Sequence, residues 1–196
     1  LVPACSEHFV ECMKHDSIFY DKESMIVSLK STYEIEKYIA ENIVSGLVNT
    51  KNRWDFDYTK YHVVNGCELS DEQLQIVKNI CKYNVCILNG AGGTGKSFCT
   101  QAVINMLKDN DKTFELFSPT GKAAKVLSDY TGETATTIHR GLGYMPPNDW
   151  CYNEENKLRC DVLVIDEFSM TDIFLFKRVL EAIDFNKTKL LLIGDN

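Results

Sequence analysis

The chain has 196 residues, 44% of them hydrophobic and 25% charged, with a formal net charge of −7. That length holds one good core plus a small appendage, and the composition is that of an ordinary soluble globular protein. No apolar run approaches a membrane span and the N-terminus lacks a basic-then-apolar pattern, so neither a membrane role nor export is expected.

Eight cysteines are present, but Cys86 and Cys99 sit inside apolar patterns. Free thiols in a reducing, cytoplasmic compartment are therefore the expectation. The acidic balance argues against a broadly basic nucleic-acid surface. It leaves room for a local basic groove whose binding is weak and salt-sensitive.

In chain order, residues 1 to about 16 read as helical around Phe9, Val10 and Met13. Cys5, His8, Cys12 and His15 have the chemistry of zinc ligands. On one helix they would span about 15 Å, too far for one tetrahedral ion, so an apolar face is the preferred reading. Residues 17–20 and 25–29 flank a polar turn and read as a hairpin. Helix then hairpin suggests a winged-helix-like unit. Tyr33 to Val48 returns to helical spacing through Ile35, Ile39, Ile43 and Leu47. Residues 49–66 are polar and aromatic with no clear period and read as a linker. A small N-terminal unit over 1–66 and an α/β unit over 67–196 are thus expected.

Ser70 and Gln73 fit a capping box, with Leu69 and Leu74 as its hydrophobic staple. A glutamine just before a phosphate loop can instead read the adenine edge of ATP, and the local sequence leaves both readings open. Val85 to Leu88 is an apolar run. It is followed by Gly90-Ala91-Gly92-Gly93-Thr94-Gly95-Lys96-Ser97 and a helical segment from Phe98 to Leu107. Strand, glycine-rich loop and helix in this order form a phosphate-binding loop. Gly90, Gly92, Gly93, Thr94 and Gly95 let the backbone wrap a phosphate chain with its N–H groups inward, at the positive end of a helix. Lys96 supplies a point charge for the β- and γ-phosphates, and the Ser97 hydroxyl is placed to ligate Mg²⁺.

A second strand, Thr113 to Phe117, runs into Ser118-Pro119-Thr120-Gly121-Lys122-Ala123-Ala124-Lys125, where Thr120 can cap a helix. Such donors at the carboxyl edge of a parallel sheet suit nucleic-acid phosphates, although alone they read as a solvated helix. Thr136-Thr137-Ile138-His139-Arg140 opens another helix with clustered donors. Residues 143–159 form a long polar connection whose Trp150 and Tyr152 are read as cover for the sheet edge rather than as base-stacking groups.

Asp161 to Glu167 is an apolar strand ending in two acids, the partner a phosphate loop requires. Asp166 would hold the Mg²⁺ and its water shell, and Glu167 would polarise the attacking water. A helix from about Asp172 to Ile183 and a buried strand from Lys189 to Ile193 follow. Gly194-Asp195-Asn196 ends the sequence.

The order of these motifs from Leu69 to Asp195 resembles the RecD-like branch of superfamily 1 DNA helicases, the exodeoxyribonuclease V alpha-subunit type. The resemblance is carried by Gln73, Gly90 to Ser97, and Ser118-Pro119-Thr120-Gly121-Lys122-Ala123-Ala124. Thr137-Ile138-His139-Arg140, Asp166-Glu167-Phe168-Ser169-Met170 and Ile193-Gly194-Asp195 complete it. The resemblance implies a P-loop NTPase of RecA-like α/β fold, with the Gly194 strand between the phosphate-loop and Asp166 strands. It implies ATP-driven, 5′-to-3′ translocation on single-stranded DNA, alone or with other recombination or repair subunits.

Residue by residue, the resemblance gives Gln73 to adenine, Lys96 and Ser97 to phosphate and Mg²⁺, and Asp166 and Glu167 to metal and water. It lays Thr120, Lys122, Thr137 and His139 along DNA. Phe168 departs from the small residue usual there. The glutamine expected beyond Asp195 and a second motor domain with its arginine fingers are not in the sequence. The expectation is therefore a piece that binds Mg-ATP but hydrolyses it poorly and unwinds nothing alone. The rival reading is a nucleotide-dependent switch that clamps DNA or protein without translocating. A phosphotransferase leaves the Asp-Glu-x-Ser-Met run unexplained.

Overall fold

The computed structural model describes residue 11 and residues 15–195. The segment read as an N-terminal helix falls almost wholly outside them, as do Cys5, His8 and Cys12. The hairpin is present as β1 (Ile18–Asp21) and β2 (Ile26–Leu29), antiparallel with Ile18 opposite Leu29. It runs directly into α1 (Lys30–Val48), and the Phe19 ring stacks on Tyr33 with centroids 3.6 Å apart. Gly46 is the closest-packed point of α1: a Cβ there would lie 2.9 Å from Val85 and 3.0 Å from the Phe185 ring. Only a glycine lets this helix approach the sheet so nearly.

The expected linker is a packed strap. Trp54, Phe56 and Tyr58 lie against the core while Tyr61 and Val64 are buried in it. The aromatics recur at every second residue, so an extended backbone turns all three to one side. Charged residues between them hide that period from a search for helices. A 3-10 turn (Tyr58–Tyr61) and a two-residue ladder, β3 (Val63–Val64) with β4 (Cys67–Glu68), complete the strap.

The capping box forms at the start of α2 (Asp71–Lys82). Then come β5 (Val85–Asn89), α3 (Lys96–Asp109), β6 (Phe114–Ser118) and α4 (Gly121–Thr131), which Gly132 ends at φ +72°. Next are β7 (Ala135–Thr137), the short α5 (Ile138–Gly141), and a small hairpin of β8 (Tyr144–Met145) and β9 (Asp149–Trp150). The chain closes with β10 (Val162–Ile165), α6 (Ile173–Ala182) and β11 (Lys189–Gly194). Thr136 and Thr137, read as opening a helix, instead extend the sheet as β7, and Thr137 caps the helix that follows. A three-residue strand is too short to show a period.

Five strands form one parallel sheet in the order β5-β11-β10-β6-β7. The Gly194 strand therefore lies between the phosphate-loop and Asp166 strands. Alternate residues of the central strands feed two separate cores. Val162, Val164, Leu191 and Ile193 face α2 and α3. Leu163, Ile165, Leu190 and Leu192 face α6, with α1 packed on that side through Tyr38, Ile39 and Ile43. Cys67, Cys81, Cys86, Cys99, Cys151 and Cys160 are free thiols. Among the described residues no helix is long and apolar enough to cross a membrane.

One residue works against this core. Lys189 begins β11 at 0% exposure, with its ammonium donating to the Tyr83 carbonyl at 3.1 Å and lying 4.6 Å from the Trp54 ring centroid. Burial pushes its pKa down from 10.5 to about 8. A cationic group depressed in the folded state destabilises fully below about pH 8, and that cost is relieved as pH rises towards 10.5. Lys189→Met is expected to stabilise the protein by about 1–2 kcal/mol at pH 7. That is less than the ~3 kcal/mol implied by the shift, because the Tyr83 carbonyl loses its donor. Denaturant melts from pH 7 to 10 should show the gain shrinking with pH; a constant gain would mean that the charge is not its source.

Candidate nucleotide and nucleic-acid site

Because β5, β11 and β10 are parallel neighbours, their carboxyl ends reach one edge together. The loop 90–95 leaves β5, Asp195 leaves β11, and Asp166 and Glu167 leave β10. The Gly90 N–H closes on the Gly194 carbonyl at 3.4 Å. Gly93 and Gly95 adopt φ of +82° and +87°, which side-chain-bearing residues resist. Among the described residues the main-chain N–H groups of Gly92, Gly93 and Gly95 donate to no protein acceptor. The same loop leads into the amino end of α3, which has no side-chain cap. Unpaired N–H groups on a curled loop at a helix start are the requirement for cradling an anion.

Lys96 is turned back onto this loop. Its ammonium donates to the Gly90 carbonyl and, at 3.1 Å, to the Ala91 carbonyl, and it is ion-paired with Asp195. Ser97 is exposed one residue further along.

The Asp166 carboxylate is held at both oxygens. Oδ1 accepts the Glu167 N–H at 3.0 Å and Oδ2 accepts the Tyr130 hydroxyl at 3.3 Å. Burial raises its pKa; those two hydrogen bonds and the Lys96 charge act against the rise, while Asp195 adds to it. Glu167 has φ +54°, a left-handed conformation uncommon for a residue with a side chain. Such backbone strain is held where the surrounding structure fixes it, as beside a reacting centre. Phe168 packs edge-on against Phe176 at 4.7 Å, on the second core.

Among the described residues no three of His, Cys, Asp or Glu converge as metal ligands. A magnesium ion does not need them, since it binds through one or two hard oxygens plus substrate phosphates and water. The Ser97 hydroxyl and the Asp166 carboxylate beside a phosphate cradle fit that chemistry.

Of the two sequence readings of Gln73, the capping box forms. The Gln73 side-chain carbonyl accepts the Ser70 N–H at 2.9 Å, as a capping box requires, and its amide donates to the Thr94 carbonyl of the loop at 3.0 Å. It thus braces the loop.

On the other flank, Thr120 caps α4 by accepting the Ala123 N–H at 3.2 Å, and Lys122 is exposed. A pocket of about 340 Å³ joins Thr120, Lys122, Ala123 and Val126 to Asp166, Glu167 and Met170. Thr137 and His139 lie further out, beyond β6. The Thr137 hydroxyl caps α5, and the exposed His139 ring sits 5.6 Å from Tyr144 and 5.5 Å from Trp150. Trp150 and Tyr152 pack on the second core, so they cover the sheet as expected. Tyr130 carried no sequence signal, and nothing local paired Lys96 with Asp195. Their roles depend on helices and strands meeting that are far apart in the chain.

A family model for the AAA domain matches residues 73–196. The ATP-dependent RecD2 DNA helicase of Deinococcus radiodurans is 37% identical over 127 residues, 65% of this chain and 18% of that protein. The RecBCD enzyme subunit RecD of Buchnera aphidicola is 29% identical over 216 residues, covering 95% of this chain and 36% of the relative. The Pif1 helicase structure from Candida albicans superposes with a TM-score of 0.51 at 25% identity, over 66% of this chain and 33% of that one. The chain thus spans 18% and 36% of the lengths of these two curated relatives.

Gly95→Ala tests the loop. A Cβ there must adopt a left-handed backbone and run into the Gln73 amide. The expected cost is about 1–2 kcal/mol of stability, with weakened pyrophosphate binding. Unchanged melting and unchanged binding would show that the loop does not depend on this geometry.

Proposed function

We infer the function from one premise: the chain belongs to the AAA domain family, and within it to the RecD-like superfamily 1 DNA helicases. It carries the nucleotide-binding motor domain of an ATP-dependent DNA helicase. That helicase moves 5′-to-3′ on single-stranded DNA in the cytoplasm, in recombination, repair or DNA transfer, alone or with partner subunits. The observation that carries this reading is the convergence at one sheet edge of a phosphate loop, the Asp166–Glu167 pair and the α4 pocket with Thr120 and Lys122.

ATP enters against the free N–H groups of the loop, and its β- and γ-phosphates draw Lys96 away from the loop carbonyls and Asp195. Gln73 turns from its loop contact to the adenine edge. Ser97 and Asp166 would hold Mg²⁺, which would neutralise charge on the phosphates. Glu167, on its left-handed turn, orients and polarises the attacking water. Thr120, Lys122, Thr137 and His139 contact the DNA backbone, with Lys122 and Thr120 nearest the acids. Release of Lys96 from Asp195 frees the end of β11, and this gives nucleotide binding a direct mechanical consequence.

The test is ATP turnover by a protein carrying this sequence, with and without a single-stranded oligonucleotide. Turnover is expected to rise about tenfold or more with DNA, and Lys96→Ala to reduce it by about 100-fold or more, the scale for losing a preorganised charge-stabilising donor. Turnover that is sensitive to Lys96→Ala but indifferent to DNA would overturn the motor in favour of a nucleotide-dependent switch.

A further inference from the structure

Tyr130 belongs to none of the motifs, yet it is the one side chain among the described residues that donates to the Asp166 carboxylate. Its phenol reaches Oδ2 at 3.3 Å from the last turn of α4, while the only other donor to the Asp166 carboxylate among the described residues is the main-chain N–H of Glu167. The ring is packed against the α2–α3 core, and Thr100 of α3, at 0% exposure, flanks the phenol. The hydroxyl is therefore fixed by its surroundings and is not a mobile surface group.

The other end of the same helix meets the same acids. Thr120, Lys122, Ala123 and Val126 line the pocket that opens onto Asp166 and Glu167. From the Thr120 cap to Tyr130 is about 15 Å of continuous helix. A helix of this length moves as a body, so displacement at its first turn is carried to its last.

We propose that Tyr130 is a positioning residue that holds the Asp166 carboxylate in the orientation that receives the divalent cation and ties that orientation to the placement of α4. A carboxylate anchored only through its neighbour's N–H can still rotate its second oxygen, and the phenol stops that rotation. Residues that orient a metal ligand from behind change metal affinity about tenfold or more when removed. Because α4 begins at Thr120 and Lys122, a strand pressed on that turn shifts the phenol and so the cation site. This rests on the reading of Asp166 as the metal-holding carboxylate.

The experiment titrates Mg²⁺ into this chain with a fluorescent ATP analogue and follows nucleotide binding, for wild type, Tyr130→Phe and Asp166→Asn. Phenylalanine keeps the ring and its packing. The expected result is a rise of about tenfold in half-saturating Mg²⁺ for Tyr130→Phe. Analogue affinity in EDTA should stay within about twofold, with an unchanged thermal midpoint. A single-stranded oligonucleotide should shift the Mg²⁺ dependence of wild type but not of Tyr130→Phe. If Tyr130→Phe follows the wild-type Mg²⁺ curve while Asp166→Asn is displaced, the positioning role is wrong and the metal site stands. If Asp166→Asn also follows the wild-type curve, the metal reading of Asp166 fails and the proposal falls with it.

Discussion

Parallel hydrogen bonding between β5, β11 and β10 constrains everything else in this molecule. Parallel strands cannot be joined by tight turns, so each connection must leave at the carboxyl edge and return by a helix. The loop after β5 and the acids after β10 are thereby brought to one edge on either side of Asp195. Since helices cover both faces, the central strands must be apolar on both. Leu190 to Ile193 and Val162 to Ile165 satisfy this without an interruption. The polar groups at the carboxyl edge lie just where the apolar requirement ends.

Electrostatics at that edge is a balance among few charges. Lys96 is shared between loop carbonyls and Asp195, and Asp166 is partly desolvated and stabilised by two hydrogen bonds. An entering polyanion would compete directly with Asp195 for the lysine. The buried Lys189 sits at the opposite edge, where the same strand begins. β11 thus carries an unfavourable buried cation at one end and a carboxylate engaged by the loop lysine at the other.

The strap over residues 54–64 changes how the N-terminal region relates to the α/β unit. The ammonium groups of Lys189 and Lys112 lie 4.6 and 5.1 Å from the Trp54 ring centroid, and Tyr61 and Val64 enter the core. α1 meets the other face through Gly46, Tyr38 and Ile43. The segment before α2 is therefore part of the structure that positions α2, and with it Gln73 beside the phosphate loop.

By itself the sequence determined the elements whose signals are local. These include the phosphate loop with its flanking strand and helix, the capping box at Ser70, the cap at Thr120 and the apolar strand before Asp166. Each is written in adjacent residues, because backbone conformation and capping depend on near neighbours. The family resemblance supplied the strand order. Only the tertiary structure decided that residues 54–64 are strap and not linker, that Thr136 joins the sheet, that Tyr130 meets Asp166 and that Asp195 pairs with Lys96. Those outcomes depend on contacts between residues far apart in the chain, 36 positions in the case of Tyr130 and Asp166. No local period or propensity encodes a contact at that distance; the packing of helix on sheet does.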